Sequence, residues 1–123
     1  MAIRDVLKNI DKSLIIITQE NTEFFKVCNE VFEVKKEVFM DRNYNDDFTL
    51  VSRKEIGGVI HDFDSMKNHV LGMIEEGSVT SLKGEKMKID FDTICVHGDH
   101  KNAIRNLDQL VQLLEIKGYQ LKS

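Results

Sequence analysis

Residues 14–40 read LIIITQENTEFFKVCNEVFEVKKEVFM, and this stretch decides the fold class. Leu14 to Thr18 (LIIIT) is a short apolar run rich in β-branched residues, the form of a strand buried on both faces. A helix is predicted from about Asn21 or Thr22, either of which can cap it. Phe24, Phe25, Cys28, Val31 and Phe32 recur there at helical spacing. Glu37 to Met40 (EVFM) reads as a second strand. A strand, a helix and a strand in so short a span predict a parallel pair with a right-handed crossover.

The same logic extends to both sides. Met1 to Asp11 places Ile3, Val6, Leu7 and Ile10 on one helical face and reads as the last turns of a helix that starts within something larger. After the second strand come a polar loop, DRNYNDD, and a short extended piece from Phe48 to Val51. Gly57 and Gly58, within Ile56 to Ile60, predict a bend or a close backbone approach. Asp64 is the expected N-cap of a helix through Glu76, with Met66, Val70, Met73 and Ile74 inward and Gly77 past its end. Val79–Leu82 and Met87–Ile89 flank a Lys83-Gly84 turn as a hairpin. Thr93 to His97 (TICVH) is the third buried strand. The last helix is predicted from about Lys101 to Lys117, with a stripe of Ile104, Leu107, Leu110, Val111 and Leu114 and a stop at Gly118. The sum is a single α/β domain over residues 1–123, with three mainly parallel strands, flanking helices and an inserted β-hairpin.

Composition narrows the function. The 123 residues allow one core, and 41% hydrophobic with 31% charged residues excludes disorder. A net charge of -4, with 17 Lys and Arg forming no stripe, argues against nucleic acid as a partner. No apolar run approaches the roughly 20 residues that cross a bilayer. The charged N-terminal stretch does not read as a secretory signal. Cys28 and Cys95 form neither CxxC nor a zinc spacing, so reduced thiols and a cytoplasmic location are expected. Proline is absent, which we read as compositional bias rather than function.

In parallel α/β folds ligands bind at the carboxyl ends of strands. Asp41, Arg42 and Tyr44 follow the second strand, and His97, Gly98, Asp99 and His100 follow the third. His97 sits at the tip of its strand, Gly98 lets the backbone turn, and Asp99 follows within reach. A His with a carboxylate can form a metal site or a general acid/base pair; alternatively Asp99 caps the last helix and His97 bonds a carbonyl. Glu37 and one of Asp41 and Arg42 can line one cavity, or Arg42 and a carboxylate can simply stiffen the loop. Tyr44 can donate to a ligand or cover the loop, and Arg53 can bind an anion. His61 with Asp62 suits a turn or cap, His69 a helix side, and Cys95 a strand interior. No P-loop, GxGxxG or HExxH occurs.

The stretch EVFMDRNYNDDFTLVSR, then GGVIHD, a helix ending EEGSV, and DTICVHGD resembles the LamB/YcsF family in order and spacing. The most specific pieces are EVFMDRNY (Glu37 to Tyr44) and CVHGD (Cys95 to Asp99). The resemblance implies a partial (β/α) barrel related to sugar deacetylases. It implies the family's 5-oxoprolinase activity, the ATP-dependent opening of 5-oxo-L-proline to L-glutamate with subunits B and C. Phosphorylating the carbonyl oxygen of an unstrained lactam makes its carbon open to water, which needs a base or metal for the water and donors for the phosphorylated group. His97, Asp99, Glu37 and Asp41 are the implied catalytic residues, and Arg42, Tyr44 and Arg53 the implied substrate-binding ones. ATP is the implied cofactor, and a divalent metal is left open.

The likeness covers only the C-terminal half of a family member. Ile56 stands where the family often has Pro, and His100-Lys101 where Thr or Asn and Pro are common. An uncovered barrel half predicts a homo-oligomer or a separate N-terminal half as partner. Two competing readings are a non-catalytic assembly module and a deacetylase-like metal hydrolase acting on a sugar. The last is disfavoured, because the Asp and paired His that would hold the metal are missing.

Overall fold

The computed structural model describes residues 2–97 and 102–121. In chain order the elements are α1 (Ala2–Ile10), β1 (Ile15–Thr18), α2 (Glu23–Asn29), β2 (Glu33–Phe39), α3 (Phe63–Leu71), a π-helical turn (Gly72–Glu76), β3 (Ser78–Thr80), β4 (Lys86–Lys88), β5 (Thr93–Cys95) and α4 (Ala103–Ile116). They fall into two compact units, Met1–Phe39 with Asp90–Cys95, and Met40–Ile89 with Val96–Ser123.

The first unit is built on a three-stranded sheet in the order β1-β2-β5. Both pairings are parallel, Ile15 opposite Glu33 and Glu37 opposite Thr93. The three expected strands are therefore present with the expected sense. Thr22 caps α2, its side chain accepting from the Phe25 N–H at 3.0 Å. Val31 and Phe32, expected on that helix, lie past its end; their N–H groups both donate to the Cys28 carbonyl in the closing turn. β2 starts at Glu33 rather than Glu37. Lys35 and Lys36 hid this, since two cations are not an apolar run. Lys36 is held in the sheet by Asp90 at 2.8 Å and by Asp92, which accepts from its N–H at 2.8 Å.

One expectation fails here. LIIIT is not buried on both faces: Ile15 and Ile17 are 53% and 57% exposed. Among the described residues β1 pairs with β2 alone, at the edge of the sheet. The stripe of α1 is open as well, with Ile3, Val6 and Ile10 all exposed.

The second unit contains the β3–β4 antiparallel hairpin, in register Val79 opposite Met87. Asp62, not Asp64, caps α3, accepting from the Ser65 N–H at 2.9 Å. Met66, Val70 and Met73 are buried as the spacing predicts. Gly77 ends the helix in the left-handed conformation (φ 63°) that glycine favours. α4 is rolled relative to its predicted stripe: Ala103, Asn106, Leu110 and Leu114 are inward, and Ile104 is 79% exposed. Asn106 could not be counted as inward by hydropathy, yet its Nδ2 donates to the His61 carbonyl at 3.1 Å. No helix among the described residues is long and apolar enough to cross a membrane.

Candidate functional site

The site starts from the polar segment Asp41–Tyr44, which is mostly buried. Two further pieces of chain flank it in antiparallel bridges, Tyr44 opposite Leu50 and Arg42 opposite Val59. The Asp41 carbonyl accepts from the Ile60 N–H at 2.8 Å, and the Asn43 N–H donates to the Gly58 carbonyl at 3.2 Å. The Val51 N–H donates to the Asn43 carbonyl at 3.0 Å. Gly58 is needed where it stands, because a Cβ there would lie 2.1 Å from the Ser52 carbonyl oxygen. The close approach expected at this glycine pair is thus Gly58 against Ser52.

Burial of so polar a segment is tolerable only if each group has a partner. Arg42 donates from Nη2 to the Val51 carbonyl at 2.7 Å and from Nε to the Gly58 carbonyl at 3.3 Å. Asn43 Nδ2 donates to the Gly57 carbonyl at 2.6 Å. Among the described residues no buried side-chain nitrogen or oxygen lacks a hydrogen bond.

Asp41, only 2% exposed, meets His97. The imidazole Nδ1 lies 2.9 Å from one carboxylate oxygen and 3.3 Å from the other. The register of β2 and β5 prepares this: Phe39 is paired with Cys95, and Asp41 and His97 each follow two residues later. With the carboxylate oxygens as acceptors, the ring donates from Nδ1, which leaves the lone pair of the neutral ring on Nε2. His97 is half-buried, while its partner is sealed from water. A base oriented by a carboxylate in this way can take a proton from water or return one to a leaving group.

The remaining predicted residues are distributed differently. Glu37 lies on β2 opposite Thr93. Asp99 lies outside the described residues, as does the His100 beside it. Tyr44 is buried, its ring 6.1 Å from that of His69 and inclined by 22°. Arg53 is exposed in a turn. Cys95 is on β5 and Cys28 is buried; burial pushes the Cys28 thiol above its ordinary pKa, consistent with a core residue. A cavity of about 640 Å³ opens beside α3 and the π-helical turn, lined by Asn43, Asn68, His69 and Glu75 among others, but neither Asp41 nor His97 lines it.

The donors present do not assemble a metal site: among the described residues no three His, Cys, Asp or Glu side chains come together. Sequence reasoning named both members of the Asp41–His97 pair. It missed Asn43 as a structural partner of the glycine turn, for which an Asn beside a buried Arg gave no distinct signal.

A parallel α/β sheet, with a buried carboxylate and a histidine just past the ends of two paired strands, defines the class to which this molecule belongs. The chain is a member of the LamB/YcsF family, whose model matches residues 1–123. It is 36% identical over 121 residues to the A subunit of 5-oxoprolinase from Pyrococcus abyssi, covering 98% of this chain and 48% of that protein. It is 39% identical over 123 residues to the corresponding 5-oxoprolinase protein of Natranaerobius thermophilus, again covering 48% of it. The crystal structure of a lactam utilization protein from Thermus thermophilus matches with a TM-score of 0.87 at 26% identity, over 98% of this chain and 48% of the other. The chain thus spans about half the length of the curated relatives it matches.

Proposed function

We propose that this chain is part of a 5-oxoprolinase, opening 5-oxo-L-proline to L-glutamate with consumption of ATP, and that Asp41 and His97 belong to its active site. The observation that carries the proposal is the sealed Asp41 carboxylate 2.9 Å from His97 Nδ1, in a chain similar to proteins named as the A subunit of 5-oxoprolinase. The parallel strands are read as late strands of a (β/α) barrel, in support of which stands the likeness to the Thermus structure.

In this reading His97 Nε2 takes a proton from the water that attacks the lactam carbonyl carbon. Asp41 holds the ring and offsets the charge of the imidazolium that forms. The proton then passes to the lactam nitrogen as the C–N bond breaks, which leaves an amine and a carboxylate. ATP, when bound to the assembled enzyme, would supply the phosphoryl group that activates the carbonyl oxygen and that leaves as inorganic phosphate. Glu37 and Asp99 are proposed as further catalytic carboxylates on the family resemblance alone. Arg53, exposed, is the candidate for the substrate's carboxylate. Tyr44, whose ring lies near that of His69, and Arg42, whose guanidinium donates to two carbonyls, stand with Arg53 as the proposed substrate-binding residues.

The proposed partners are subunits B and C, together with a second copy or the part of the fold that corresponds to the N-terminal half of the relatives. The exposed Ile15 and Ile17 of the edge strand support such a partner. They equally support the second reading, a non-catalytic assembly module. Reconstitution separates the two. The chain is mixed with the N-terminal half and with subunits B and C, and glutamate release from 5-oxoproline is measured. Release that depends on this chain is expected; equal release without it leaves the assembly role alone.

A further inference from the structure

Arg42, a candidate substrate-binding residue, is held by backbone carbonyls. Its side chain is buried, being only 8% exposed, and donates to the two backbone carbonyls of Val51 and Gly58. Burying a guanidinium against neutral carbonyls is a costly way to fill space, and an apolar side chain of similar length would cost less. What the guanidinium has and an apolar chain lacks is N–H donors in a fixed planar fork, of which Nε and Nη2 are used here.

The fork joins three pieces of chain. Val51 and Gly58 lie on the two stretches that flank Asp41–Tyr44, and Arg42 follows Asp41 directly. The backbone bonds already present tie the same pieces, from Val51 to Asn43, from Asn43 to Gly58 and from Ile60 to Asp41. Those bonds set the spacing. The fork adds a side-chain tie across both flanks, next to the carboxylate that must stay within hydrogen-bond reach of His97.

We propose that Arg42 is a positioning residue: its two-point grip on the Val51 and Gly58 carbonyls holds the Asp41 carboxylate against His97 Nδ1 and so selects the Nδ1–H tautomer of that ring. This rests on the proposed role of the Asp41–His97 pair in catalysis, but its geometric part can be tested without activity. A rigid carboxylate leaves His97 one arrangement; a loosened one lets the ring proton move from Nδ1 to Nε2, which takes the lone pair away from the position of the attacking water. A displacement of about 1 Å at such a pair costs up to about 100-fold in rate.

The test uses R42K and R42M in the full chain, with histidine nitrogens labelled with ¹⁵N and the His97 signals assigned by their loss in H97Q. R42M removes the charge and the fork; R42K keeps a cation but has no planar fork. In the unsubstituted chain the neutral His97 ring is expected as Nδ1–H. Both variants should shift it toward Nε2–H, and in the reconstituted enzyme kcat should fall about 10- to 100-fold with KM little changed. Should R42M fail to fold, R42K carries the test, since a lysine stem can occupy the same space. Retention of the Nδ1–H form in a folded R42K chain overturns the proposal, for then the grip does not set the tautomer. Failure of the catalytic reading is a separate result: lactam opening unimpaired in H97Q removes it while leaving the tautomer shift standing.

Discussion

Ile15 and Ile17 stand more than half exposed on β1, whereas Asp41 and Arg42, a carboxylate and a guanidinium, are almost wholly buried. Both regions run against the ordinary partition of side chains. Leaving an isoleucine in water forgoes about 1.5–3 kcal/mol of burial. Burying a charge costs more unless it is hydrogen-bonded or paired, as both residues of the second region are. The difference teaches that burial here follows hydrogen-bond partners rather than polarity: Asp41 and Arg42 are buried with their groups bonded, while Ile15 and Ile17 lie at the edge of the described sheet. The proposed function reads the apolar edge as a contact surface and the polar interior as fixed chemistry.

The sharpest way to break the second half of that contrast is Gly58→Ala. The new methyl would meet the Ser52 carbonyl at 2.1 Å, and backbone cannot swing aside as a flexible side chain does. A loss of about 3 kcal/mol is expected, read as a lower urea midpoint with unchanged slope. A neutral result would mean that the packing around Asp41–Tyr44 is loose.

The first half is sharpened by replacing Ile15 and Ile17 together with threonine. In the chain alone the effect on stability should stay within about 0.5 kcal/mol per site, as for surface positions. Affinity for the covering partner, measured by sedimentation or titration calorimetry, should fall by about tenfold or more. A marked drop in the stability of the chain alone, with partner affinity unchanged, would place these side chains in an internal core.

The smallest effect concerns a surface contrast to the buried carboxylate. The N–H and hydroxyl of Ser65 hold the Asp62 carboxyl below the usual carboxylate range. A group whose folded pKa is depressed contributes stability above its unfolded pKa and loses it as pH falls through the folded value. Asp62→Ala should therefore lower the thermal midpoint slightly at neutral pH, and the gap should close in acid. A gap of constant size across that range would mean that the carboxylate does not carry the capping effect.

Much of this arrangement was legible in the sequence, for local reasons. Apolar β-branched runs at 14–18 and 93–97 and the phenylalanine spacing of α2 stand out against charged neighbours, and the parallel order follows from their alternation with helices. The start of β2 did not stand out, because Lys35 and Lys36 are held there by carboxylates, Glu33 on the same strand and Asp90 far along the chain. Exposure of β1 was hidden for a similar reason, since apolarity predicts burial without saying by what. At the site, Asp41 and His97 were singled out by their place after strands. The destination of Arg42 was not, because a guanidinium aimed at a substrate and one aimed at two carbonyls have the same sequence.

The most direct test of the central claim, that the buried polar region exists for catalysis, is the rate of 5-oxoproline opening by the reconstituted enzyme carrying His97→Gln. Glutamine keeps a polar side chain beside Asp41 but cannot take the proton. The expected result is a loss of about 100-fold or more in kcat with the thermal midpoint of the chain nearly unchanged. An unimpaired rate in a correctly folded His97→Gln enzyme would contradict the account and return the Asp41–His97 pair to a structural role.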